Sequence, residues 1–116
     1  MSWIVDVEGK GATPVEQVQV GDSIKGYSVA KNANVFRRVV SICHGRHRGA
    51  ASVVKGHNIS PVQGVWNGQT WVAAHKMHGA VFDGGTLTDV LLHVDRDEDE
   101  ESNIWLLGDE PLLIRT

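Results

Sequence analysis

One cysteine and several histidines lie close enough in the chain to suggest metal chemistry. Cys43, His44 and His47 fall within five residues, and a thiolate with two imidazoles is a donor set that suits zinc. A structural zinc site needs four ligands, and this spacing matches no zinc motif. We therefore favour a small cysteine buried on a strand beside solvated histidines, with no metal site and no cofactor.

Charge is distributed unevenly along the chain. Residues 37–55 contain five Lys and Arg and no acid, whereas residues 95–101 contain six acids and one Arg. The candidate binding residues of the basic segment are Arg46, His47 and Arg48. This segment could receive an anion or an acidic partner, although charges exposed on an edge strand would have the same composition. The two opposite segments predict a weak, salt-sensitive homodimer, for which Trp66 offers an apolar anchor.

Composition places the chain among globular proteins of one domain. It has 116 residues, of which 41% are hydrophobic and 22% charged, and such a chain buries roughly two-thirds of its unfolded surface. The formal charge of −3 gives no broad basic surface, so nucleic acid is not an expected partner. No apolar run reaches the roughly 20 residues of a membrane span, and the N-terminus lacks the features of a signal peptide. We expect one cytoplasmic domain over residues 1–116, with no membrane partner.

The pattern of glycines and β-branched residues favours a mainly β fold. The chain has 13 glycines at short intervals, and no stretch longer than about ten residues shows helical periodicity. We expect at least eight short strands joined by hairpins, and no helix beyond about two turns. The longest β-like run ends at His44 and leads to a basic loop at 45–49, and Gly84-Gly85 breaks the chain again. Asn67-Gly68 is predicted to be the turn of a hairpin.

Three stretches, in this order and at these separations, resemble the Hint (hedgehog/intein) domain family. The first, VDVEG followed by TPVEQVQVGDSI, occupies residues 5–9 and 13–24 and is similar to the opening of the family. The second, ISPVQGVWNGQTWVAA at 59–74, is similar to the central hairpin of the family, and the third, LTDVLL at 87–92, to its late strand. The resemblance covers nearly the whole chain. It implies a compact all-β fold with a pseudo-two-fold arrangement of bent strands.

The chemistry of that family needs groups that this chain keeps only in part. The family begins with a Cys or Ser that attacks the preceding carbonyl, and Ser2 is the hydroxyl at that place. The Thr-x-x-His element of the family corresponds to Ser60 and Gln63, and a glutamine cannot shuttle a proton near neutral pH. Asp89 matches the aspartate that the family has in its late strand.

The end of the chain departs furthest from the family. Its closing His-Asn pair corresponds to Arg115 and Thr116; arginine cannot act as a base, and threonine cannot cyclise to a succinimide. We therefore expect a degenerate, non-catalytic Hint-like domain that serves as a binding or assembly module, its partner an unidentified protein or a second copy. Two alternatives stay open. One is residual self-cleavage or acyl transfer by Ser2, Ser60 and Asp89, and the other is an unrelated small β-barrel protein of unknown function.

Overall fold

The computed structural model describes residues 3–77, 81–94 and 102–116, with residues 43–51 and 81–93 described by their backbone. The strands are β1 (Ile4–Val7), β2 (Gly11–Pro14), β3 (Ser23–Ser28), β4 (Ala33–Val54), β5 (His57–Ile59), β6 (Gly64–Trp66), β7 (Trp71–Ala73), β8 (Val81–Val94), β9 (Asn103–Leu106) and β10 (Leu112–Arg115). Two single-turn 3₁₀ helices, η1 (Val15–Gln17) and η2 (Ala74–Lys76), follow β2 and β7. The mainly β fold predicted from the sequence is confirmed. No helix among the described residues is long and apolar enough to cross a membrane.

The strands form two antiparallel sheets that share one core. The larger sheet has the order β2-β1-β3-β4-β5, with β8 also paired to β4, and the smaller has the order β7-β6-β10-β9. Residues of β3 alternate between half-buried and buried positions, as in a strand with one face against a core. Ile24 of the larger sheet and Ile104 and Ile114 of the smaller sheet belong to the same buried cluster. The hydrophobic core therefore includes residues from both sheets.

The longest element, β4, has to bend. A straight strand of 22 residues would run roughly 73 Å at about 3.3 Å per residue, whereas the molecule measures 35 × 30 × 24 Å. The β4–β8 ladder contains a register shift between Val39 and Ser41, and farther along it pairs Gly49 with Gly85 and Ala50 with Gly84. These last four positions carry at most a methyl group, and small residues inside a strand permit tight bending.

Two predictions about this ladder are wrong. Residues 45–49, which the sequence indicated as a loop, are part of β4, and Gly84-Gly85 lies inside β8 rather than between elements. Glycines usually mark the ends of strands, but here Gly49 pairs with Gly85 inside a ladder. Because the two partner segments lie more than 30 positions apart in the chain, local sequence carries no signal of their pairing.

The predicted hairpin at residues 67–68 is confirmed, with a longer loop than expected. β6 and β7 pair in register on either side of it, and the N–H of Asn67 donates to the carbonyl of Thr70 at 3.1 Å. The side-chain Oδ1 of Asn67 accepts hydrogen bonds from the backbone N–H groups of Gln69 and Thr70, both at 2.9 Å. The asparagine thus closes a four-residue loop with its own side chain.

Each sheet contains a hairpin followed by a single 3₁₀ turn of nearly the same geometry. The residue before the turn has φ −58° and ψ 138° at Pro14, and φ −67° and ψ 143° at Ala73. In both turns the first residue is buried, Val15 in η1 and Ala74 in η2. The five-residue segments PVEQV (14–18) and AAHKM (73–77) share no identical position, so this structural repeat is not visible in the sequence.

A carboxylate closes the loop before β3 and ties it to the first hairpin. Oδ2 of Asp22 accepts the backbone N–H of Gln19 at 2.9 Å, and Oδ1 lies 3.2 Å from Nζ of Lys10. The hydrogen bond from Gln19 lowers the pKa of Asp22 below its ordinary value of 3.8, and Lys10 adds to this against the smaller opposing effect of burial. The ionised form is therefore favoured in the folded state.

Asp22→Asn should slightly destabilise the protein at neutral pH and have less effect in acid. A pKa lowered by folding contributes stability that is complete above the unfolded value and is lost as the pH falls through the folded value. Asparagine keeps the acceptor for Gln19 but removes the charge. Urea denaturation of both proteins between pH 7 and pH 2 should show two stabilities that converge below pH 3.8. A difference that stays constant with pH would mean that the charge contributes nothing.

Candidate functional site

The segment Ser60–Gln63 forms a tight turn between β5 and β6. The N–H of Gln63 donates to the carbonyl of Ser60 at 3.0 Å, and proline suits the second position of such a turn because its φ is already fixed. η2 holds the turn in place: Ala74 N–H donates to the carbonyl of Gln63 at 2.9 Å, and His75 N–H donates to that of Pro61 at 3.0 Å. The orientation of the Gln63 side chain therefore depends on the start of η2.

This turn meets the end of the last strand. Nε2 of Gln63 donates to the backbone carbonyl of Arg115 at 2.5 Å, across 52 positions of sequence. The adjoining strands explain the contact, because Val65 in β6 pairs with Ile114 in β10. The structure therefore brings together two segments that the sequence analysis had singled out separately.

Two tryptophans and an arginine form a cluster beside this contact. Trp66 and Trp71 are directly paired across β6 and β7, and their rings meet edge to face at 5.3 Å between centroids. The Arg115 guanidinium lies 4.7 Å from the centroid of the Trp71 ring, within the range of a cation–π contact. Both tryptophans are half-buried, so the cluster presents aromatic surface to solvent.

Gly64 lets the arginine reach Trp71. A Cβ at Gly64 would lie 3.3 Å from Cβ of Arg115 and 3.8 Å from its Cδ. The arginine side chain therefore crosses β6 at the one residue of that strand without a side chain, and reaches the neighbouring edge strand β7.

The last residue is tied to the start of β9. Thr116 N–H donates to the carbonyl of Ser102 at 2.9 Å, and the two hydroxyls lie 2.6 Å apart. Among the hydrogen bonds of the described residues, none joins a His, Asp or Glu side chain to Ser60, Gln63 or Thr116. Within the described part of the chain, this place therefore combines hydrogen-bonding groups with aromatic surface, and no hydrogen bond there joins a basic group to a hydroxyl.

The other predicted site residues lie on the β4–β8 ladder or outside the described residues. Asp89 pairs with Gly45 along the β4–β8 ladder. Its side chain, and those of Arg46, His47 and Arg48, lie outside what the structure describes; all three belong to β4. Ser2 and the acidic tract 95–101 also lie outside the described residues.

A buried polar cluster next to the core was missed by the sequence analysis. Arg37, which the charge pattern placed among exposed basic residues, is 4% exposed. Its Nη1 donates to Oδ1 of Asn103 at 2.8 Å, and its Nη2 to the carbonyl of Tyr27 at 3.2 Å. A sequence signal was present in the alternation of β4, because Arg37 shares its parity with the buried Val39.

Neither a metal-binding cluster in the described part of the chain nor a similar known protein assigns a role to this place. No three His, Cys, Asp or Glu among the described residues come together as a metal site would require. Compared with protein-family models, curated proteins and solved structures, the chain shows no significant match to any of them.

Proposed function

We propose that this protein is a Hint-like domain that has lost self-processing and serves as a binding or assembly module. The observation that carries the proposal is the hydrogen bond from Gln63 to Arg115. The resemblance assigns Gln63 to the position of the family's catalytic histidine and Arg115-Thr116 to its closing His-Asn pair. In a self-processing domain these groups must converge, because proton transfer requires hydrogen-bond reach.

The side chains at these positions support binding rather than catalysis. The Gln63 amide donates to a backbone carbonyl, Arg115 lies against Trp71, and the Thr116 hydroxyl contacts Ser102. None of the three side chains acts as a base near neutral pH. A Hint-like domain with these three residues lacks the groups that cleave a peptide bond.

The surface next to this site is suited to a protein partner. Trp66 and Trp71 are half-buried, and Arg115 is exposed while its guanidinium rests on an aromatic ring. Tryptophan and arginine are the residue types that contribute most binding energy in protein interfaces. A ring-held guanidinium also loses less side-chain freedom when a partner binds.

The first test is whether the chain cleaves itself when it is flanked by other domains. Reporter domains fused to both ends should remain attached after days of incubation with a thiol, as measured by mass spectrometry. Cleavage at either junction that is abolished by Asp89→Ala would overturn the proposal in favour of residual self-processing.

A restored variant tests the Hint assignment itself. Gln63→His, Arg115→His and Thr116→Asn together should release the C-terminal reporter. In this step the side-chain amide nitrogen of the introduced asparagine attacks the backbone carbonyl carbon of the same residue, forms a succinimide and expels the amine of the next residue. The matched control carries the two histidines and retains Thr116, and it should stay intact. A folded triple variant that releases no reporter would count against a Hint-like site. The Gln63–Arg115 hydrogen bond would then have a structural role alone.

A further inference from the structure

A groove of about 840 Å³ opens on the molecule away from the site described above. Its volume is in the range of ligand-binding pockets, and it shares no lining residue with the Gln63–Arg115 contact or the tryptophan cluster. The residues that line it include Trp3, Lys55, Asn58, Leu107, Asp109 and Glu110. It thus lies between the start of β1 and two hairpin turns, β4–β5 and β9–β10.

Contacts among its walls give the groove a defined shape. The Trp3 indole N–H donates to the backbone carbonyl of Asn58 at 2.9 Å, which joins the residue before β1 to β5. Nε2 of the His57 ring donates a hydrogen bond to the backbone carbonyl of Glu110 at 2.9 Å. A Cβ at Gly108 would lie 3.1 Å from Cε1 of that ring, so the two hairpin turns pack closely against each other.

The edge strand β5 presents backbone groups to this groove. Among the described strands, β5 pairs with β4, through Val54 with His57 and Val53 with Asn58. In a hairpin with a two-residue turn the pair next to the turn is hydrogen-bonded, so the N–H and C=O of the following residue, Asn58, point away from the partner strand. The indole bond to the Asn58 carbonyl agrees with this orientation. No described residue outside the β4–β5 ladder accepts the Asn58 N–H.

The charges around the groove favour one kind of occupant. Asp109 and Glu110 are exposed on one turn and Lys55 on the other, and no described basic side chain forms a salt bridge with either acid. Trp3, Ile4 and Leu107 are half-buried and provide apolar surface between them. An occupant with an apolar centre and basic residues nearby complements this lining.

We propose that the groove binds an extended peptide that pairs its backbone with Asn58 of β5, places an apolar side chain against Trp3 and Leu107, and directs a basic side chain to Asp109 and Glu110. Addition of a strand to an exposed sheet edge is a general mode of peptide recognition, in which main-chain hydrogen bonds provide affinity and pockets provide specificity. The carbonyl of Asn58 has a second lone pair besides the one used by the Trp3 indole. The proposal is independent of the Hint resemblance.

The test uses acetyl-Lys-Val-Leu-Val-Lys-amide titrated into the ¹⁵N-labelled protein. Chemical-shift changes should centre on Asn58, Gly108 and the Trp3 indole. The same peptide N-methylated at its central leucine should bind about ten-fold more weakly, because it loses a backbone hydrogen bond. A peptide with glutamates in place of the lysines should also bind more weakly, by at most about three-fold, since exposed charge pairs contribute little to affinity.

A pair of variants separates backbone pairing from simple apolar binding. Asn58→Pro removes the outward N–H and leaves the ladder with β4 intact, which is how proline is tolerated in edge strands; Asn58→Ala keeps that N–H. Asn58→Pro should weaken peptide binding about ten-fold relative to Asn58→Ala. The proposal would be overturned if the two variants bound the peptide with equal affinity. It would also be overturned if the unmodified protein bound the methylated and unmethylated peptides equally well, or if the chemical-shift changes centred on Trp66 and Trp71. The methylated peptide gives this answer even if the proline variant does not fold.

Discussion

Gly26→Ala is expected to destabilise the protein by about 3–5 kcal/mol, more than any other single methyl addition that the structure suggests. A Cβ at this position would lie 2.3 Å from the backbone carbonyl oxygen of Asn103, 2.4 Å from Nη1 of Arg37 and 2.8 Å from Oδ1 of Asn103. One of these neighbours is backbone and the others are hydrogen-bonded to each other, so none can move freely. Overpacking alone costs about 1–3 kcal/mol, and here hydrogen bonds between buried groups break as well.

Urea denaturation at neutral pH measures this loss, with Gly64→Ala as the matched control. The methyl group at Gly64 would meet the Arg115 side chain at 3.3 Å, and that exposed side chain can shift by a few tenths of an ångström. The control should therefore lose less than about 1 kcal/mol. Because domains of this size are stable by about 5–15 kcal/mol in total, Gly26→Ala is expected to unfold at markedly lower urea. Equal stabilities of the two variants would mean that β3 and β9 lie farther apart than the structure places them.

Asn103→Leu is expected to cost about 3 kcal/mol or more, because the side chain it replaces accepts two hydrogen bonds inside the protein. Oδ1 of Asn103 accepts the backbone N–H of Tyr27 at 2.8 Å and Nη1 of Arg37 at 2.8 Å, and Asn103 is fully buried. A lost hydrogen bond to a charged group costs about 1.5–3 kcal/mol, and an orphaned buried N–H about 1–3 kcal/mol. Chemical denaturation of the variant measures the sum.

Asn103→Asp is the control that keeps both acceptors. The Nδ2 of Asn103 has no hydrogen-bond partner among the described residues, so replacing it with oxygen removes no contact and places a negative charge beside Arg37. We expect this variant to stay folded at pH 7 and to retain far more stability than Asn103→Leu. If Asn103→Asp lost as much stability as Asn103→Leu, the volume and amide group of residue 103 would matter for stability, and its hydrogen-bond acceptor Oδ1 would not.

The amino-acid sequence predicts the strands of this fold better than it predicts their partners. The turn at residues 67–68 follows from the local preferences of asparagine and glycine, and it is found in the structure. The β4–β8 ladder does not follow, because its bend depends on glycines of one strand that face small residues of the other. That match exists only after two distant segments have paired.

The candidate site was predictable in part. Ser60, Gln63 and the closing residues were identified from the resemblance, and the structure joins Gln63 to Arg115. The stack of Trp71 with Arg115 was not foreseen, because it requires Arg115 to cross β6 at Gly64. Arg37 was placed among exposed charges, since the number of basic residues in its segment outweighed the alternation that marks its position as buried.

The β4–β8 ladder also sets a direction for folding. Its closest pair in sequence, Val53 with Val81, encloses a loop of 28 positions, whereas the last pair, Val39 with Val94, is separated by 55 positions. Closing the shorter loop costs less chain entropy, and each later pair then forms next to one already made. Loop entropy therefore favours closure of the ladder from the Val53–Val81 end towards the bulge at Val39. Proteins rich in such distant pairings fold on the slow side for their size. The β3–β4 hairpin has pairs only 5 to 15 positions apart, so its closure costs less chain entropy than any pair of the β4–β8 ladder.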